Sequence, residues 1–206
     1  MSEGCNVLIV RTGIANLASV LAGLKRAGAE PWLSEDPAAV ENAARVVLPG
    51  VGAFGAGMEQ LRRSGLVEVL RERLRARRPT LAVCLGLQLL FAASEESPGI
   101  EGLAVFPDTI RRFSPSVRVP QLGWNKVLPQ AGCSLLEGGY AYFANSFRAE
   151  TIPQGWQGAF AEHGTRFVAA LESGSVLCCQ FHPELSGNWG AALLKRWLSK
   201  TSETQR

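Results

Sequence analysis

The feature that most constrains this chain is an alternation of short apolar runs and amphipathic stretches through its first half. Asn6-Val-Leu-Ile-Val10 is an apolar run bounded by polar residues, the pattern of a buried strand. Leu17, Val20, Leu21, Leu24 and Ala27 then recur at helical spacing, and Gly28 stands where a helix-ending glycine belongs. Arg45-Val-Val-Leu48 predicts another strand, running into the glycine-rich Pro49-Gly-Val-Gly-Ala-Phe-Gly55. Residues 58–76 carry a helical pattern broken near Ser64-Gly65, Thr80–Cys84 predicts a third strand, and a helix over Leu85–Ala93 follows directly. Strands alternating with helices predict an α/β fold: a mostly parallel open sheet with helices on both faces.

Beyond the Pro98-Gly99 turn the texture becomes β-rich. Short strands are expected at Leu103–Phe106, Thr109–Phe113, Trp124–Leu128, Tyr140–Ala144, Gly158–Glu162 and Arg166–Leu171, with His163-Gly164 as a hairpin turn. Ser175–Phe181 is a further apolar strand, and Trp189–Lys200 closes with an amphipathic helix expected to pack on the sheet. No linker or repeat divides the 206 residues, so a single domain over 1–206 is expected.

Apolar residues at 47% and charged residues at 19% suit an ordinary buried core, and a net charge of +3 is too weak to indicate nucleic acid. The N-terminus shows no secretory signal, and the apolar stretch Leu81–Ala93, interrupted by Gly86 and Gln88, is too short to span a bilayer. Five cysteines and only His163 and His182 lack metal-ligand spacing. These features predict a reduced, cytoplasmic protein with no metal, no cofactor, no nucleic acid and no membrane. No role is assigned to Cys5, Cys133, Cys178 or Cys179. The arginines at 71, 73, 75, 77 and 78 read as a solvated helix face.

Cys84 stands at the tip of a strand with a helix starting immediately after it, flanked by small Ala82 and Gly86. A tight strand-to-helix turn needs small neighbours, and a helix N-terminus favours the thiolate. In Gln180-Phe-His-Pro-Glu184, Pro183 forces His182 into extended backbone, so Glu184 is expected to reach one imidazole nitrogen and leave the other for a thiol. The Pro49-Gly-Val-Gly52 loop can aim an N–H, that of Gly52, at a developing oxyanion, with the Leu85 N–H as second donor. Each feature alone is common in purely structural settings. All three fall at carboxyl ends of expected parallel strands, where open α/β sheets bind ligands.

Taken together, Cys84-Leu-Gly-Leu-Gln88, Phe181-His-Pro-Glu184 and Pro49-Gly-Val-Gly-Ala-Phe54 resemble the class I (triad) glutamine amidotransferases. Leu48–Gly55, Val119-Pro-Gln-Leu-Gly-Trp-Asn125 and Tyr142-Phe-Ala-Asn-Ser146 are most similar to one branch, the glutaminase subunit of imidazole glycerol phosphate synthase in histidine biosynthesis. The resemblance implies that Cys84 attacks the glutamine side-chain amide, His182 moves the proton and Glu184 orients His182. It implies oxyanion donors at Gly52 and Leu85, and substrate contacts at Gly50, Val51, Gln88, Ser146 and Phe147. It further implies that ammonia passes to a (β/α)8-barrel cyclase subunit in a heterodimer, faced by Asn16, Trp124 and Asn125.

The chain also departs from that pattern. The usual opening Asp-Tyr-Gly-x-Gly-Asn-Leu reads Arg11-Thr-Gly-Ile-Ala-Asn-Leu17, and Leu185 replaces a usual lysine that pairs with an acid on the cyclase. Ala82 replaces a glycine, while Gln121 and Asn145 replace histidines. The glutaminase of an anthranilate or aminodeoxychorismate synthase is an alternative, but those usually carry Gly-Pro-Gly in the oxyanion loop and His after Cys-Leu-Gly, where this chain has Gly50-Val-Gly52 and Leu87. A non-catalytic interaction module or a thiol hydrolase on a related scaffold also stays open at this point.

Overall fold

The structure, a computed structural model, describes residues 5–11 and 16–203, with no account of the side chains of 202 and 203. In chain order its first half runs β1 (Cys5–Val10), α1 (Leu17–Arg26), β2 (Ala29–Ser34), α2 (Pro37–Asn42), β3 (Val46–Gly50), α3 (Phe54–Arg63), α4 (Leu66–Arg75), β4 (Thr80–Cys84) and α5 (Leu85–Gln88). The second half runs β5 (Phe91–Ser94), β6 (Phe106–Arg112), β7 (Gln121–Pro129), β8 (Gly139–Asn145), β9 (Phe147–Arg148), β10 (Gln157–His163), β11 (Thr165–Ser173) and β12 (Val176–Cys179). A 3-10 turn over Pro183–Leu185 and α6 (Gly187–Glu203) close the described chain.

Nine strands form one sheet in the order β2-β1-β3-β4-β12-β11-β10-β7-β8. The first five are parallel to one another, and the rest continue antiparallel. Strand residues alternate between two cores. Val7, Ile9, Val47, Leu81, Val83 and Leu177 face a core shared with Val20 and Leu24 of α1 and Leu193, Leu194 and Trp197 of α6. Leu8, Val10, Leu48, Ala82 and Val176 face the other core, filled by Phe54, Met58 and Leu61 of α3 and Leu66, Leu70 and Leu74 of α4. Burial on both faces is why these strands read as unbroken apolar runs. The adjacent Cys178 and Cys179 enter opposite cores for the same reason. Gly28 (φ +98°) follows α1, Gly65 (φ +69°) breaks α3 from α4, and the hairpin turn falls at His163-Gly164.

Several expectations need correction. The helix expected over Leu85–Ala93 is a single turn, and Phe91–Ser94 is a strand paired with β6. A continuous apolar run does not distinguish a buried helix from a buried strand. Of Leu103–Phe106, only Phe106 lies in a strand. β2 and α2 carry no clear signal: β2 is a half-exposed edge strand containing Pro31, and α2 buries only Val40. Arg73 is not solvated but only 1% exposed, donating to the carbonyls of Val40, Ala43, Ala44 and Pro79 and to Thr80 Oγ1. It ties α2, the approach to β3 and the start of β4 together, and Arg77 lies 4.1 Å over the Trp156 ring. Among the described residues no helix is long and apolar enough to cross a membrane.

Candidate active site

The site forms where β3, β4 and β12 end, side by side in the parallel half of the sheet. Cys84 ends β4 with φ 54° and ψ −111°, a backbone reversal that thrusts its side chain out of the sheet. The reversal needs small neighbours: a Cβ on Gly86 would run into the Leu48 carbonyl oxygen, and one on Gly50 would lie 2.9 Å from Leu85 Cβ. Bare backbone at 50 and 86 thus lets the glycine loop after β3 lie against the turn after β4. Gly52 follows in that loop at φ +96°. Because α5 is one turn long, the amides immediately after Cys84 act there, not the dipole of a long helix.

His182 stands three residues beyond β12, in extended backbone at φ −99°. Its N–H donates to the Tyr142 carbonyl at 2.9 Å, and its own carbonyl accepts from Ser186 Oγ at 2.6 Å. Glu184 lies on the 3-10 turn opened by Pro183, so the expected extended reach is instead a tight turn, with the same contact: His182 Nδ1 and Glu184 Oε1 are 2.9 Å apart. The other side of the ring hydrogen-bonds Cys84. Burial alone pushes the imidazole pKa down, but the hydrogen bonds and charges of Cys84 and Glu184 outweigh it and raise the value to about 10. The geometry favours a protonated imidazole held between a sulfur and a carboxylate.

In front of the sulfur lies a cavity of about 230 Å³, below the roughly 300–1,000 Å³ of drug-sized pockets and suited to a single amino acid. Of the residues expected at the site, Cys84, His182, Val51, Gly52, Leu85, Gln88, Ser146 and Phe147 line it. Gly50 lies behind, bordering a void of about 10 Å³ with Asn16, His182 and Glu184. Asn16 caps α1 by accepting from the Ser19 N–H, and its neighbours 12–15 of the altered opening, Gly13 included, lie outside the described residues. Trp124 is 59% exposed on the outer face of β7. Asn125 is less exposed, and it donates to the Glu162 carbonyl at 2.8 Å, stitching β7 to β10.

Sequence reasoning missed Glu96, Ala144 and Asn145 in the cavity wall and Gln180 beneath the sulfur. Glu96 accepts the Phe54 N–H at 2.7 Å, a cap on α3 from 42 residues away that leaves no local pattern. Among the described residues no group of three or more His, Cys, Asp or Glu is placed to hold a metal ion.

Known proteins resemble this chain over most of its length. The glutamine amidotransferase class-I family model matches residues 14–200. The imidazole glycerol phosphate synthase subunit HisH of Symbiobacterium thermophilum is 40% identical over 195 residues, covering 93% of this chain and 92% of that protein. The protein of the same name from Escherichia coli (strain K12) is 39% identical over 198 residues, covering 94% and 98%. A solved glutamine amidotransferase superposes with a TM-score of 0.75 at 19% identity, over 95% of this chain and 98% of that one. With a family model spanning nearly its whole length and relatives at such identity, the chain belongs to the class-I glutamine amidotransferase family.

Proposed function

We propose that this chain is the glutaminase subunit of an imidazole glycerol phosphate synthase. The observation that carries the reading is the hydrogen-bonded line of Cys84, His182 and Glu184 opening on an amino-acid-sized cavity. It is joined by full-length similarity to two HisH subunits.

In this reading the Cys84 thiolate attacks the carboxamide carbon of glutamine, and negative charge gathers on the amide oxygen. The N–H groups of Leu85 and Gly52 receive that oxygen. His182 gives its proton to the departing amine, so ammonia leaves and a glutamyl thioester remains. Water then attacks the thioester while His182 takes its proton, and glutamate departs with Cys84 restored. Glu184 keeps the ring oriented and offsets its charge throughout. Gln88, Ser146 and Phe147 hold the substrate with Gly50 and Val51, and the Glu96 carboxylate at the cavity wall suits its α-ammonium.

Ammonia then enters a (β/α)8-barrel cyclase. Leu122, Trp124, Tyr140 and Leu185 are exposed apolar side chains, and the first three belong to the paired strands β7 and β8. They suit a docking face to which Asn16 and Asn125 contribute from its margins. Leu185 offers no charge there, so this contact with the barrel is apolar.

The test pairs the chain with a barrel cyclase subunit. Cys84→Ser is expected to abolish synthesis driven by glutamine while leaving synthesis driven by added ammonium salt intact. Persistence of glutamine-driven synthesis in that variant would remove Cys84 from the mechanism.

A further inference from the structure

Gln180 is fully buried directly after β12, its backbone N–H fixed to the Ala169 carbonyl at 2.8 Å. Its side chain lies between two parts of the site. Nε2 donates to Cys84 Sγ at 3.8 Å, and Oε1 accepts from Gln88 Nε2 at 3.0 Å. Gln88 Nε2 also donates to the Phe147 carbonyl at 3.1 Å. A primary amide has two N–H bonds, so Gln88 spends both on these acceptors and its remaining polar atom is the acceptor Oε1.

We propose that Gln180 is a positioning residue that orients the Cys84 sulfur and fixes the sense of the Gln88 amide. The two roles are linked. While Gln180 turns its donor to the sulfur, its acceptor must face Gln88, and Gln88 must then present an oxygen to an N–H of the substrate. Flipping Gln180 would place an oxygen against the sulfur and a donor against a donor, so each contact enforces the other. The titratable groups around the sulfur are His182 and Glu184 from the turn after β12 and Glu96 from the segment after β5. Gln180 is the neutral donor among them, and a hydrogen bond to a charged acceptor exceeds one between neutral groups. The inference deepens the glutaminase reading and rests on Cys84 being the nucleophile.

The test uses Gln180→Met, which keeps length and burial but removes both amide functions, with Gln180→Leu as a second apolar variant. Gln88→Met is the control. The pH dependence of Cys84 alkylation by iodoacetamide is read by peptide mass spectrometry in the whole protein without substrate. Both Gln180 variants are expected to move the alkylation midpoint up by about one pH unit or more and to lower kcat. Gln88→Met is expected to raise KM and to shift the alkylation midpoint by less than either Gln180 variant, because the Gln180 donor stays beside the sulfur while losing the partner that fixes its sense. An unchanged midpoint in either folded Gln180 variant overturns the positioning role. That result leaves the glutaminase reading standing, whereas glutamine hydrolysis surviving Cys84→Ser overturns the reading itself.

Discussion

At the residue scale, the proposed chemistry depends on one imidazole whose charge two neighbours stabilise. His182 rises from an ordinary pKa of 6.5 to about 10, so its protonated form is favoured by folding. A base raised in the folded state contributes stability fully below its unfolded value, and that contribution fades as pH climbs through the folded value. Glu184→Gln removes one of the two supports. The stability gap between the parent chain and Glu184→Gln, measured by urea unfolding, is therefore expected to be widest near pH 6 and to close toward pH 10. Glutamine hydrolysis by Glu184→Gln is expected to fall by about 10²-fold or more, because the ring loses its orienting partner. A gap that widens with pH would contradict the assignment. The meeting of Cys84, His182 and Glu184 was legible because each sits in a short pattern with a mechanical reason: Cys84 between Ala82 and Gly86, His182 before Pro183, Glu184 two residues on. Glu96 and Gln180 were not, since a backbone cap and a buried amide contact are made by the tertiary structure alone.

At the element scale, α1 reaches the site through a missing side chain. Gly23 packs on the 3-10 turn so closely that a Cβ there would lie 2.7 Å from Glu184 Cβ, while Arg26 Nη2 donates to the Glu184 carbonyl at 3.2 Å. Gly23→Ala is expected to push Glu184 away from His182. Overpacking of this kind costs about 1–3 kcal/mol of stability, and the displaced carboxylate is expected to lower kcat by at least about 10-fold with KM little changed. Steady-state kinetics on the folded variant decide it, and full kcat would show that the turn gives way without cost. Elements buried on both faces, such as β1, β3, β4 and β12, were readable as apolar runs, as was the amphipathic α6. β2, α2 and the switch from α5 into β5 were not. The first two expose much of their surface, and in the third the apolar run Leu89-Leu-Phe91 serves either conformation. Arg73 misled for a different reason: its helical spacing looks solvated, and only the carbonyls gathered around it by α2 and β4 explain its burial.

At the scale of the whole molecule, the sheet curls back on itself. β8 is the last strand of the nine, four places beyond β12, yet Tyr142 bridges to His182 and the Ala144 carbonyl lies 4.0 Å from Cys84 Sγ. The antiparallel half therefore closes over the carboxyl ends of the parallel half and supplies Ala144 and Asn145 to the cavity, with Ser146 and Phe147 following directly as the chain leaves β8 for β9. The parallel alternation was legible in sequence, but this closure arises from the curl of five strands and has no local signature. It also leaves Trp124 and Tyr140 exposed on the outside. The central claim is that the cavity binds glutamine with its carboxamide at Cys84. A diazo-ketone analogue of glutamine tests it most directly, with the modified residue identified by mass spectrometry. The account predicts one adduct per chain, on Cys84, slowed by competing glutamine; labelling of another cysteine, or labelling indifferent to glutamine, would contradict it.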